Sequence, residues 1–376
     1  MIIKKEKSKK NKISSINKFL LIYFFSSLLI GSILLIFIVT SWTFKKAKAD
    51  FLDHFSKAGR FEYIYLPRIL TEAIKSNFYE INDLILDINF DNVLIIENFR
   101  NKANKNSDLG PTELIPRLKT NINFGGKKYR GDLRLKGDRR VHFQEKKTSS
   151  YKIELDKNQY ILGMKKFSIQ KPRIRNYIHE WIFHEIAKDF NIIKLKYEFI
   201  NLIVNGENLG LYVIEEGFGK ELIERNKRRN GPIFSIDEDI SSSTLNPVFQ
   251  TYNKKFWSKP ENDKIPRIAA QKLHDFFDGG QNYLSSFDLD KWAAYFAVVD
   301  FTSTYHGAFL KSVKFYYNPI NGLFEPIPFD GHRLKPNYNR YNLNYDDRIL
   351  FDIINDPINN SETSLSWIKK FFFENE

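Results

Sequence analysis

Cysteine is absent from the 376 residues, and methionine occurs only twice. No disulfide, thiolate metal centre or cysteine nucleophile can therefore form. A chain without cysteine suits either redox compartment, so location has to come from another signal. Acids are nearly missing from the first 48 residues, where Glu6 stands against ten lysines and +9 of the net +13 resides. The other 328 residues carry 48 bases and 44 acids. So close a balance argues against the broad basic face of a nucleic-acid-binding protein, and no nucleic-acid partner is expected. There is no internal repeat, and no long low-complexity segment beyond the N-terminal lysines.

What is present begins with a long apolar run. Lys4, Lys5, Lys7, Lys9, Lys10, Lys12 and Lys18 precede an uncharged stretch of 26 residues, Phe19 to Phe44. About 20 apolar residues suffice to span a bilayer as a helix. Lysines outnumber acids on both flanks, more heavily before the run, which keeps the N-terminus cytoplasmic. Ala47-Lys48-Ala49 has the small-x-small form of a cleavage site. The run, however, exceeds the roughly 7–15 residues of a signal-peptide core, and Lys45 and Lys46 intervene. An uncleaved single-pass anchor is expected, with the remainder extracytoplasmic, in the periplasm or on the cell surface.

Beyond the anchor, Phe51, Leu52, Phe55 and Ala58 recur at helical spacing. Ile85–Ala103 reads as a strand followed by a short helix. Leu118–Asn123 and Lys128–Leu135 alternate as strands around Gly125-Gly126. Tyr151–Leu155 alternates as a strand with Tyr151, Ile153 and Leu155 on one face. Arg175–Phe190 reads as a helix with an apolar stripe of Ile178, Ile182, Ile186 and Phe190. Phe199–Val204 and Leu209–Ile214 pair around Asn205-Gly206, the strongest hairpin signal in the chain. Lys220–Arg229 looks like a solvated helix and Leu289–Phe301 like a buried one. His179-Glu180-Trp181-Ile182-Phe183-His184 nearly matches a zinc-protease motif. Its histidines lie five residues apart instead of four, so they diverge around the helix and cannot readily grip one ion.

Six segments stand out in order: Lys136-Gly137-Asp138, Lys146-Lys147-Thr148-Ser149-Ser150-Tyr151-Lys152, Arg175-Asn176-Tyr177-Ile178, the hairpin Leu202–Glu215, Lys314-Phe315-Tyr316-Tyr317 and Pro328-Phe329-Asp330-Gly331. In this order they resemble the spore-coat-protein-H (CotH) kinase family. The hairpin is the most specific of them. The resemblance covers roughly residues 85–335 and implies an α+β, atypical protein-kinase-like two-lobed fold.

It also implies ATP and magnesium as cofactors, with phosphoryl transfer to a hydroxyl of a protein or surface glycan. Phosphoryl transfer asks for a cation on the phosphates, carboxylates for the metal and a group to position the acceptor. Lys152 or Lys147 is expected on the phosphates, Gly137 beside them, and Glu185 or Glu180 orienting the lysine. Asp330 is expected as metal ligand. The chain departs from the family pattern where an Asp and an Asn precede the metal-binding Asp: His306 stands near the first position and Ser312 near the second. His306 is then the candidate for positioning the acceptor hydroxyl. His332 replaces the second acid of the metal motif, leaving Asn337 or Asn339 as oxygen ligands. The competing expectation is a kinase-like binding module without chemistry, serving envelope assembly or adhesion.

The expected organisation is a basic tail over 1–18, the transmembrane helix over 19–44 and a helical lead-in over 45–84. The main domain follows over 85–340. A C-terminal segment, 341–376, ends abruptly on an apolar run, as a truncated lobe would.

Overall fold

The computed structural model describes residues 23–24, 26–32, 81–111, 114–137, 139–237, 247–279, 282–332 and 366–372. The chain separates into two units, Met1–Phe78 with Pro336–Asn339, and the remainder. Of the first unit only part of the apolar run is described. It is helical, with Tyr23, Phe24, Leu28, Leu29 and Ile30 exposed. The rest of the expected anchor, the basic tail, most of the lead-in, Asp138, Asn337 and Asn339 lie outside the described residues. Among the described residues no helix is long and apolar enough to cross a membrane.

The second unit is mixed α+β. Seven strands close a barrel: β1 (Asp83–Asp87), β2 (Leu118–Phe124), β3 (Lys127–Leu135), β4 (Tyr151–Leu155), β5 (Lys166–Gln170), β6 (Tyr197–Val204) and β7 (Glu207–Glu216). Their order is β1-β2-β3-β4-β5-β7-β6, and parallel pairing of β6 with β1 completes the circle. The alternation read in β4 sends Tyr151, Ile153 and Leu155 into the barrel core with Leu133, Phe167, Ile169 and Ile214. Asn205 and Gly206 both take positive φ, as a tight hairpin between twisted strands needs. The Asn205 amide also ties the hairpin to Ile88, accepting from its N–H at 2.7 Å and donating to its carbonyl at 2.9 Å.

Because side chains alternate across a strand, the same registers build a polar row on the outside of the barrel. Arg134 pairs with Lys152, Lys152 with Ser168, Ser168 with Glu215, and Glu215 with Tyr197. Of this row, Glu215 reaches the site described below, through its ion pair with Lys136.

Helix α1 (Phe90–Asn106) follows β1, longer than the short helix expected. Its start is fixed by Asn89, whose side chain caps Asn92 N at 2.8 Å. Helix α2 (His179–Asp189) begins four residues later than its apolar periodicity predicts. Pro172–Arg175 form a 3₁₀ turn, and Asn176 and Tyr177 both have positive φ. Two successive left-handed residues cannot lie inside a right-handed helix. The buried face of α2 also differs from the expected isoleucine stripe. Glu180, Phe183, His184 and Ala187 are buried, whereas Ile178 and Phe190 are about half exposed. Packing beside the polar row, not hydrophobicity alone, chose that face.

Four further strands, β8 (Ile233–Ile236), β9 (Phe249–Thr251), β10 (Lys314–Asn318) and β11 (Leu323–Ile327), form a sheet of order β11-β10-β8-β9. Helices α3 (Lys264–Asp278) and α4 (Leu289–Thr302) pack with it around an aromatic core. Trp292 stands at its centre, with its Nε1 donating to Phe324 O at 2.9 Å. The C-terminal run belongs to this core: Trp367 is fully buried and donates to Ala308 O at 3.0 Å, and Phe371 stacks on Trp292. The helix over Lys220–Arg225 is less solvated than its charges imply, since Leu222 and Ile223 are buried.

Candidate functional site

A cleft of about 210 Å³ lies between the β3–β4 connection and the segments carrying Ser312 and Asp330. Five basic side chains line it: Lys136, Arg139, Arg175, Lys311 and Lys314. Asp330 is the one carboxylate in its lining, and Glu215 stands directly behind. The cations arrive from several elements. Lys136 follows β3, Arg175 ends the 3₁₀ turn before α2, and Lys314 opens β10.

Lys136 donates to Glu215 Oε2 at 2.7 Å and to Gln170 Oε1 at 3.2 Å. Burial pulls the Lys136 pKa down, against the opposing attraction of Glu215. For Glu215, burial alone would raise the pKa, but Lys136 and Arg175 outweigh it and hold the carboxyl below its ordinary value. Arg175 also grips Asp330 Oδ1, with its guanidinium over the Phe329 ring. Beneath this layer, Glu180 and His184 approach to 3.2 Å, fully buried. Gln170 Nε2, Arg175 Nε and Glu215 Oε1 are buried without a hydrogen-bond partner.

His306 and His332 stack at 3.8 Å on one side of Asp330. His332 Nδ1 lies 3.0 Å from Asp330 Oδ1, and His306 Nδ1 lies 3.3 Å from Oδ2. Arg139 Nη2 is 3.1 Å from His306 Nε2. A guanidinium can only donate, so Nε2 accepts and the imidazole proton sits on Nδ1, facing Asp330. Burial, then the neighbouring ring and the cations, push the His306 pKa down to about 2; burial and Arg175 push His332 to about 4. Both rings are neutral at physiological pH.

Close packing sets this geometry. A Cβ on Gly331 would meet the Phe183 ring at 2.2 Å, and one on Gly307 would meet it at 3.1 Å. Phe183 of α2 thus holds the backbone beside both Asp330 and His306. Gly137 has φ +115°, and a Cβ there would lie 2.2 Å from the His142 ring. His142 in turn bonds Ser150 at 3.0 Å. Gly137→Ala is therefore expected to displace the β3–β4 connection and to cost roughly 1–3 kcal/mol from backbone strain alone. Chemical denaturation measures this, and an unchanged midpoint would show that His142 does not pin the loop.

Of the residues singled out from the sequence, Gly137, Asp330 and His306 come together here, with Ser312 Oγ 3.3 Å from His306 Nδ1. Lys147 does not: it is exposed and pairs with Glu207 at 2.8 Å beside the hairpin turn. Glu185 pairs with Lys194 on the outer side of α2, and Glu180 holds the inward position. Lys152 lies in the outer polar row without lining the cleft. Burial first, then Arg134, Lys136, Lys166 and Arg117, lower its pKa to about 8. Lys136, Arg139, Arg175, Glu215, Lys311 and Lys314 were missed as site residues. Lys136, Arg175, Glu215 and Lys314 did stand in the motifs that carried the resemblance, but only the fold brings them to one cleft.

The family model described as CotH kinase protein matches residues 128–371. The chain belongs to this family. Inner spore coat protein H of Bacillus subtilis (strain 168) is 25% identical over 207 residues, which are 50% of this chain and 55% of that protein. The chain thus spans about half the length of this curated relative. The matched region takes in every cleft residue named above.

Magnesium prefers near-octahedral oxygen ligands, usually one or two carboxylates with substrate phosphates and water. The residues here do not fit it. His306, Asp330 and His332 are the one group of potential ligands close enough together among the described residues. Two of the three are nitrogen donors. Both oxygens of Asp330 already face donors, and Glu215 is taken by Lys136. Asp330, expected as a magnesium ligand, instead faces Arg175, His332 and His306.

Proposed function

We propose that this CotH-family chain is a membrane-anchored, extracytoplasmic phosphotransferase that binds ATP in the cationic cleft and phosphorylates a hydroxyl of a protein or surface glycan. The observation that carries this reading is the convergence of five cations on one cleft, with Lys136 ion-paired to buried Glu215. An ion-paired lysine on the nucleotide phosphates is a working part of kinase-like sites. In the two-lobed reading, the barrel and the β8–β11 sheet with its helices are the lobes. The anchor is supported by the uncharged run Phe19–Phe44 behind its lysines.

Phosphoryl transfer relies on positioning and on stabilising charge, which guanidinium and ammonium groups supply. The acceptor oxygen bonds the terminal phosphorus, the bridging P–O bond to ADP breaks, and the hydroxyl proton passes to His306 Nε2. That lone pair accepts from Arg139 in the free cleft. An arriving phosphate competes for Arg139, releases Nε2, and its negative charge raises the imidazole pKa.

A second reading, nucleotide binding without transfer in envelope assembly or adhesion, is favoured by the closed His306–Asp330–Arg175 cluster. Both are tested with the full chain in detergent, given ATP and candidate acceptors. ADP release with a phosphoryl mass increment, lost in Lys136→Met, supports transfer. Saturable binding without ADP favours the second reading, and no ATP binding removes nucleotide from both and leaves a binding module without chemistry. Lys152→Ala is expected to weaken ATP binding about tenfold, or ~1.4 kcal/mol; unchanged affinity would leave Lys152 outside the phosphate field. A reporter fused to the C-terminus is expected to be active outside the cytoplasm, and the opposite pattern would overturn the topology.

A further inference from the structure

We infer that the cleft takes up a polyphosphate without a divalent metal ion, its own guanidinium and ammonium groups supplying the positive charge. The inference rests on the nucleotide reading above and adds to it how the phosphates are neutralised.

Three observations carry it. The first is the engagement of Asp330 by nitrogen groups. Arg175 holds Oδ1 together with His332, and His306 faces Oδ2, so a metal ion would have to displace an arginine and meet two imidazoles. The second is the excess of positive charge. Arg175 and Lys136 account for Asp330 and Glu215, whereas Arg139 and Lys311 line the cleft and reach no carboxylate among the described residues. A divalent cation entering among these groups is repelled, and a polyanion is attracted. The third is the presence of two guanidinium groups, Arg139 and Arg175, in the lining, the Nε of Arg175 facing Glu215 Oε1 at 3.8 Å behind the cleft. Arginine presents a planar fork of donors that matches phosphate geometry bidentately.

Lys136 and Glu215 form the rigid back of the cleft, while Arg139 is exposed and Lys311 half-buried. These last two can therefore turn onto the ligand without breaking an ion pair among the described residues, Arg139 exchanging its bond to His306 Nε2. Their replacement is expected to leave the fold intact, so their variants report on binding directly.

The test is isothermal titration of the full chain in detergent with ATP and with inorganic triphosphate, in excess EDTA and again in excess magnesium. ATP affinity within threefold between the two conditions is the expected result, with triphosphate also bound in EDTA. Arg139→Ala and Lys311→Ala are each expected to weaken binding in EDTA by tenfold or more while keeping the wild-type melting temperature. Asp330→Asn is expected to bind ATP at least as tightly as wild type, because it removes a negative charge. ATP binding that appears only with magnesium, or that is lost in Asp330→Asn with an unchanged melt, overturns metal independence and leaves the nucleotide reading standing. No binding of ATP or triphosphate in either condition overturns both.

Discussion

Glu215→Ala is expected to destabilise the protein by about 3–5 kcal/mol, because it leaves Lys136 and Arg175 buried without their common partner. Lys136 is 17% exposed in its side chain and Arg175 only 7%. Lys136 can lose its proton to escape the penalty, since burial already pulls its pKa down. Arg175 cannot, and its remaining carboxylate is Asp330. The double variant Glu215→Leu with Lys136→Met should recover much of the loss, since a buried ion pair exchanged for apolar groups is often neutral or better. Urea denaturation of wild type, Glu215→Ala, Glu215→Leu, Lys136→Met and the Glu215→Leu with Lys136→Met double variant separates the outcomes. A single-variant loss below 1 kcal/mol would mean that water reaches the pair and that the back of the cleft is not rigid.

The second large effect is on acid stability. His306 and His332 titrate near 2 and 4 in the fold, against an ordinary value near 6.5. Below about pH 6.5 the unfolded chain takes up two protons that the folded chain refuses. Stability is therefore fully present above that pH and falls as pH drops, with a slope on the order of 2 kcal/mol per pH unit between about 6 and 4. The groups facing the rings are Arg139, Arg175, Lys311, Asp330 and the buried Glu180. Glu215, held below its ordinary value, adds a loss of the same sign at lower pH. Replacing both histidines, by His306→Asn and His332→Gln, should flatten the profile between pH 6.5 and 4. A wild-type denaturation midpoint that does not move across that window would show that the rings are not buried as described.

The fold was legible where one physical signal dominates. β4 alternates cleanly, so its inward face followed from spacing, and Asn205-Gly206 fixed the hairpin because both positions need positive φ. Trp292, Tyr295 and Phe296 were readable as core from apolarity alone. The start of α2 was not, since nothing in Asn176-Tyr177 announces two left-handed residues. Its buried face was misread for a related reason. Hydrophobic periodicity ranks isoleucine above glutamate, yet Glu180 and His184 are the residues turned inward, beside Tyr197 and Tyr295.

The candidate site divides along the same line. Gly137, His306 and Asp330 were recoverable one by one, because turn chemistry and the family pattern mark single positions. Lys136, Arg139, Arg175, Glu215, Lys311 and Lys314 were not, because each is an ordinary charged residue in a chain with 58 bases. Lys136 is opposed to Glu215 only because β3 and β7 bend around the same barrel, 79 residues apart in sequence. By itself the sequence determined the absence of thiol chemistry, the N-terminal concentration of charge, the barrel hairpins and the membership of the CotH kinase family. The tertiary structure decided which cations share a cleft and that Asp330 faces an arginine and two imidazoles. Charge pairing acts through space at a few ångströms, and that distance is set by closure of the barrel and by Phe183 packing on two glycines, not by separation along the chain.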